Sequence, residues 1–332
     1  MLNAERLLYL RGLEKCRTSQ KGRLLLNVYT WLRIMGESTY VLHEYRPSGS
    51  FMEALNSGAS SGVLAPGSWG DGNHRLDDFL HLRPQYSDSD LAIDEPKDCE
   101  MDIPDIHLQD SRKSSETLGK QVYGIPETWL SLVSQTTRLA NVMETLKAAR
   151  NTDCQIDPRI WETLQKRGDR LENVINAFNL KTIAGNKSDY FEEPTILYGH
   201  MLRALNAALV ILFYRRIRHV HPSILEGQVD KVIIALRSFD AALSANDSTG
   251  PGTIWPAFMA GCEAISPIQR DSILQLVERG EKRCGFVPFK TAKEIMAQLW
   301  RRQDDHLANN LTESLPTWID IVRESQVWPT FC

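Results

Sequence analysis

The chain has 332 residues, 42% of them hydrophobic and 24% charged, with a formal net charge of -4. That balance supports one large helical core or two ordinary ones and excludes a globally disordered chain. The slight negative charge excludes the basic footprint of a domain that grips nucleic acid through its own surface.

The opening Met1-Leu-Asn-Ala-Glu-Arg-Leu-Leu is a charged amphipathic stretch without the apolar core of a secretory signal. Arg23 to Met35 sets Leu24, Leu25, Val28, Trp31, Leu32 and Met35 at i, i+3, i+4 spacing, which predicts a helix. Arg46 to Lys120 differs in kind. It is rich in Ser and Gly through Asn73, and from Ser87 to Asp110 it holds nine acidic residues against the single Lys97. Such a segment cannot bury enough apolar surface to offset its ordering entropy, so most of it is expected to be disordered. One short docking helix is expected within it, over Arg75 to Leu82. The reading therefore sets residues 1–45 as the first helices, 46–120 as an insertion, and 121–332 as the main helical body, one domain with 1–45.

Pro126 opens the next predicted helix at a position where its missing N–H costs nothing, and Trp129, Leu132, Val133, Leu139, Ala140, Met143 and Leu146 follow at helical spacing. Asp157-Pro158 is a cap with a first-turn proline before a stripe from Ile160 to Phe178, ending near Leu180. Pro194 to His219 forms another helix, stopped by Pro222. Its apolar run from Met201 to Phe213 is too short to span a bilayer, which places it in a core and leaves a soluble chain with no membrane role. Val229 to Leu243 is helical until the Ser248-Thr-Gly-Pro-Gly breaker. Shorter helices are expected over Ile254 to Ala264, Pro267 to Arg279, Thr291 to Asp304 and Leu315 to Glu324. No strand-type alternation competes with them, so the fold class is all-α.

Motifs for chemistry are sparse. Gly58-Ala-Ser60-Ser-Gly62 matches the spacing of a nucleophile elbow, but it lies in the Ser/Gly-rich segment without the strand and helix that strain such a turn. Gly185-Asn-Lys-Ser lacks the first glycine and the strand of a phosphate loop. His43-Glu44 lacks a second histidine, and His219 and His221 do not share a helix face. Cys16, Cys99, Cys154, Cys262, Cys284 and Cys332 contain no C-x-x-C arm, so no local zinc site is expected and the thiols are read as reduced and intracellular. No catalytic residue, metal ligand or cofactor site is assigned, and the chain is read as no enzyme.

Two charged stretches remain. Arg215, Arg216 and Arg218 end the apolar helix, either as an anion or partner contact or as cations complementing the helix dipole. The tract containing Asp88, Asp90, Asp94 and Glu95 is mixed with Leu91, Ile93, Met101, Ile103 and Ile106, as in acidic-hydrophobic activation segments, or is simply a solvated loop. Trp129, Trp161, Trp255 and Trp300 sit on helical stripes and are expected in the core.

Several stretches together resemble the regulatory domain of fungal zinc-cluster transcription factors, in the branch of arginine-metabolism regulators. They include Val28-Tyr-Thr-Trp-Leu-Arg-Ile-Met-Gly-Glu-Ser-Thr-Tyr, Arg75-Leu-Asp-Asp-Phe-Leu and Tyr123-Gly-Ile-Pro-Glu-Thr-Trp-Leu. Phe213-Tyr-Arg-Arg-Ile-Arg, Trp255-Pro-Ala-Phe-Met-Ala-Gly-Cys-Glu-Ala, Glu281-Lys-Arg-Cys-Gly-Phe and Leu299-Trp-Arg-Arg-Gln-Asp continue the match. The resemblance implies an all-helical, nuclear regulatory domain that acts on the transcription machinery or co-regulators. In that family a six-cysteine binuclear zinc cluster precedes the domain. None of the six cysteines here has that cluster's close spacing, so zinc and DNA contact are expected only from a module missing from this chain. Met1 then falls inside the family domain. Self-association into a homodimer is left open, as are two rivals: a helical interaction scaffold without transcriptional activity, and a ligand-binding helical domain.

Overall fold

Long apolar stripes at helical spacing, punctuated by proline and glycine, leave the backbone few ways to satisfy its own hydrogen bonds except as helices. The computed structural model describes residues 20–41, 124–150, 158–185, 193–245, 254–309 and 315–331. Over these the chain forms nine α-helices and one short 3-10 turn, with no strand, as the all-α reading expects. The 46–120 insertion, its docking helix and the opening stretch through Ser19 lie outside the described residues.

The helices are α1 (Gln20–Thr39), α2 (Glu127–Arg150), α3 (Pro158–Gly185), α4 (Glu193–Arg216), α5 (Glu226–Ala245), α6 (Ile254–Cys262), α7 (Pro267–Cys284), α8 (Val287–Ala308) and α9 (Trp318–Ser325), with the 3-10 turn at Pro222–Leu225. Prolines mark the first turns of α7 and α8. In α8 this proline moves the start ahead of the expected Thr291. Helix α7 runs past Arg279 until Gly285 adopts the left-handed conformation (φ 68°) and its N–H bonds the Glu281 carbonyl. Helix α4 ends before the expected His219 for the same kind of reason. His219 is itself left-handed (φ 52°), and the Val220 N–H reaches back to the Tyr214 carbonyl at 3.1 Å. Pro222 then opens the 3-10 turn rather than merely stopping α4.

Helix α6 has no solvent face. All nine of its residues are buried, and α4, α5, α7 and α8 pack around it. Its aromatic side chains carry the core outward. Trp255 meets Trp129 of α2 edge-on at 5.4 Å, Trp129 meets Trp31 of α1 at 6.3 Å, and Trp255 Nε1 donates to Ser38 Oγ at 2.8 Å. Phe258 packs on Trp318 of α9 at 5.6 Å and on Phe331 at 4.5 Å. Trp129 and Trp255 are fully buried, whereas Trp300 is partly buried at the margin of this core and Trp161 packs on a smaller cluster of Val142, Leu146 and Ile160.

Helix α4 supplies the second layer. Leu197–Arg216 is long and apolar enough to cross a membrane by length and composition, and 61% of its most apolar window is buried inside the protein. The run from Ala204 to Phe213 is buried without a break, packed against α2, α3, α5 and α6. Helices α2 and α4 lie side by side and parallel: Gly124 sits under the Tyr198 ring at one end, and Asn141 and Glu144 meet Arg216 at the other. The last described residues fold back onto α1. Thr39 Oγ1 donates to the Pro329 carbonyl at 2.6 Å, and Tyr40 meets Trp328 edge-on at 4.8 Å.

Gly261 allows a close approach of α6 and α8. A Cβ there would stand 2.2 Å from Met296 Sδ and 3.1 Å from Ile273 Cγ2, and the Gly261 carbonyl accepts from Trp300 Nε1 at 2.9 Å. Gly261→Val is therefore expected to cost about 2 kcal/mol by overpacking. Met296→Ala in the same chain should return part of it, since methionine is the flexible partner. Urea midpoints of the two single variants and the double variant measure this coupling, and strict additivity would place the clash elsewhere.

Candidate functional site: the charged junction at the end of α4

Successive residues of a helix point about 100° apart, so a basic run at a helix end fans out in several directions. The run ending α4 does so, and each arginine meets carboxylates next to or on a different helix. Arg215 Nε lies 2.6 Å from Glu263 Oε2, just beyond α6, in an ion pair set off the N–H axis, while its Nη1 donates to the Val220 carbonyl at 2.6 Å. Arg216 donates from Nε to Glu144 Oε1 at 2.8 Å and from Nη2 to Asn141 Oδ1 at 2.9 Å, both on α2. Arg218 donates to Asp169 Oδ1 at 2.6 Å and from Nε to Glu172 Oε2 at 2.9 Å, both on α3. Tyr214 also holds Glu172, its hydroxyl donating to Oε1 at 2.6 Å.

Burial differs across the fan. Arg216 is 5% exposed, and Glu263 is 4% exposed, whereas the Arg218 side chain keeps 27% exposure and Asp169 keeps 62%. His219 and Lys147 touch at the rim, and burial lowers both below their ordinary ranges. Desolvation pushes the wholly buried Glu263 carboxyl up to about 7, which Arg215 only partly offsets. Burial likewise pushes the Cys262 thiol well above its ordinary range.

The arrangement fastens helices together. All three predicted arginines engage carboxylates of this chain, and Arg218 keeps the most exposed side chain of the three. Asp88, Asp90, Asp94 and Glu95 lie outside the described residues. The carboxylate partners escaped the sequence reading, although Glu263 carried a signal: it is the one charge in the apolar run from Ile254 to Ile265, where an ionised group must be paired or shifted in pKa. Among the described residues no group of three or more His, Cys, Asp or Glu is placed to hold a metal. Cys262 and Cys284 are free thiols on α6 and α7.

Removing one partner of a buried pair strands the other charge. Arg216→Ala is therefore expected to cost about 3–5 kcal/mol. Arg218→Ala, at a partly exposed pair, should cost about 1 kcal/mol. Chemical denaturation of the two variants separates these values, and equal costs would mean that Arg216 is as hydrated as Arg218.

Glu263 also gives the fold a pH dependence. Its folded value of about 7 lies above the ordinary 4.5, so between those values the folded chain holds more protons than the unfolded one. This contribution is fully present below pH 4.5 and is lost as pH rises to about 7, by on the order of 3 kcal/mol. His200 and His219 act in the opposite sense, because burial lowers them and they cost stability as the pH falls below the ordinary 6.5. Glu263→Gln removes only the first effect. Its stability relative to the parent should rise between pH 5 and pH 8, and a constant difference would mean that Glu263 titrates as an ordinary carboxyl.

No curated protein and no solved structure matches the chain. A family model described as the fungal-specific transcription factor domain matches residues 1–332, and the chain belongs to that family.

Proposed function

We propose that the chain is the regulatory part of a nuclear transcription regulator of the arginine-metabolism-regulator branch, acting through protein partners and without enzymatic chemistry. The observation that carries this reading is the family match over residues 1–332. The stretches resembling the arginine-regulator branch, among them Phe213-Tyr-Arg-Arg-Ile-Arg, support the finer assignment. That motif has a structural use here, since its three arginines tie α4 to α2, α3 and Glu263. Contacts with the transcription machinery then fall to Asp88, Asp90, Asp94 and Glu95 and to the outward edge of Arg218. DNA contact and zinc belong to a six-cysteine module that the cysteines of this chain do not build. A homodimer would present two such acidic tracts.

Fusing the chain to an unrelated DNA-binding domain upstream of a reporter tests the proposal. Transcription is expected to change several-fold in either direction, and replacing the four acidic residues by Asn and Gln should reduce the change. A folded, nuclear fusion that leaves the reporter flat would overturn the effector role. Exclusion of the unfused chain from the nucleus would favour a scaffold outside transcription.

A further inference from the structure

The interface between α2 and the end of α4 has more donors than acceptors. Asn141 is 2% exposed, and its Oδ1 takes the hydrogen bond from Arg216 Nη2 at 2.9 Å. The Nδ2 of the same amide is buried without a partner. Arg216 uses Nε for Glu144 and Nη2 for Asn141, and its Nη1 is also buried without a partner. The two orphaned N–H groups therefore belong to the two members of one hydrogen bond, which sets them close together. Thr137 precedes Asn141 by one helical turn on the same face of α2. It is 1% exposed, and its hydroxyl is buried without a partner too.

An unmade bond from a buried donor is costly, and more so when the donor is charged. Three such donors from adjacent positions call for one acceptor. One of the three donors is the cationic Arg216 guanidinium, and a hydrogen bond from a charged donor is strongest when its acceptor is charged as well. We propose that a compact monoanion, a halide or the carboxylate of a small acid, binds between Arg216 Nη1, Asn141 Nδ2 and Thr137 Oγ1. It completes the hydrogen bonds of these donors and clamps α2 to α4. The site stands whether or not the chain regulates transcription, so a flat reporter leaves it untouched.

Thermal unfolding of the full chain at constant ionic strength tests it. Sodium chloride and sodium formate are each titrated against sodium gluconate, whose carboxylate carries too bulky a tail for a buried site. The melting temperature is expected to rise with the logarithm of chloride or formate concentration above a threshold, as for any ligand selective for the folded state. Which salt acts at the lower concentration tells a halide site from a carboxylate site. Thr137→Val removes only the unpartnered hydroxyl. It should fold as the parent does and shift the threshold about tenfold upward, the worth of one hydrogen bond. Asn141→Asp supplies its own carboxylate beside Arg216, and should be stabilised without added anion and unresponsive to it. Equal responses to all three salts, in the parent and in Asn141→Asp alike, would mean that water meets these donors, and the proposal would fall.

Discussion

A helix without a solvent face is the constraint on which this fold rests. Helix α6 is nine residues long and buried throughout, so its backbone ends cannot turn to water and must be met by side chains. Its last turn and the residues just beyond it receive them from the two helices that follow. Trp300 of α8 donates to the Gly261 carbonyl, and Arg270 of α7 donates to the Ala264 carbonyl at 3.0 Å. Those polar groups in turn fix where α7 and α8 lie. Gly261 allows the approach of α8, and the aromatic chain from Trp255 through Trp129 to Trp31 sets the distance to α2 and α1.

The arginine fan solves the matching problem for α4. An apolar helix packed on four neighbours gains little orientation from dispersion alone, because van der Waals contact has no direction. Charge-assisted hydrogen bonds do have direction. Arg215, Arg216 and Arg218 each fix one bearing, to Glu263, to Glu144 and Asn141, and to Asp169 and Glu172. Burying these ions costs solvation, and the most deeply buried of them, Glu263, shows it in its raised pKa. Register and rotation of α4 are set by the exchange.

The helices were legible in the sequence because their signals are local. Pro158 and Pro267 open α3 and α7 where expected, and the apolar stripes of α2 and α5 give their buried faces. Proline and glycine rules also explain the shifted ends at Val287 and Cys284, whereas the end at Arg216 follows from the left-handed His219, which no such rule marks. Pairing across the core was not legible. The partners of Arg216 lie 72 and 75 residues away, and no spacing says which carboxylate an arginine will find. Thr317 and Asp320 form a capping box at α9 that their separation of three already announces, yet Asp320 reads as an ordinary surface charge until the Thr317 N–H is seen on it at 2.8 Å.

The return of the chain to α1 bears on how the protein is made. Thr39 and Pro329 are bonded across 290 residues, so the partner of α1's last turn leaves the ribosome long after α1 itself. Until then Tyr40 lacks Trp328 and Phe258 lacks Phe331, and two aromatic surfaces at the centre of the fold stay uncovered. Contacts so distant in sequence form late and fold slowly, because a long loop must close before they stabilise anything. The nascent chain thus carries exposed aromatic surface through most of its synthesis, which makes it a natural client for chaperones that recognise apolar segments.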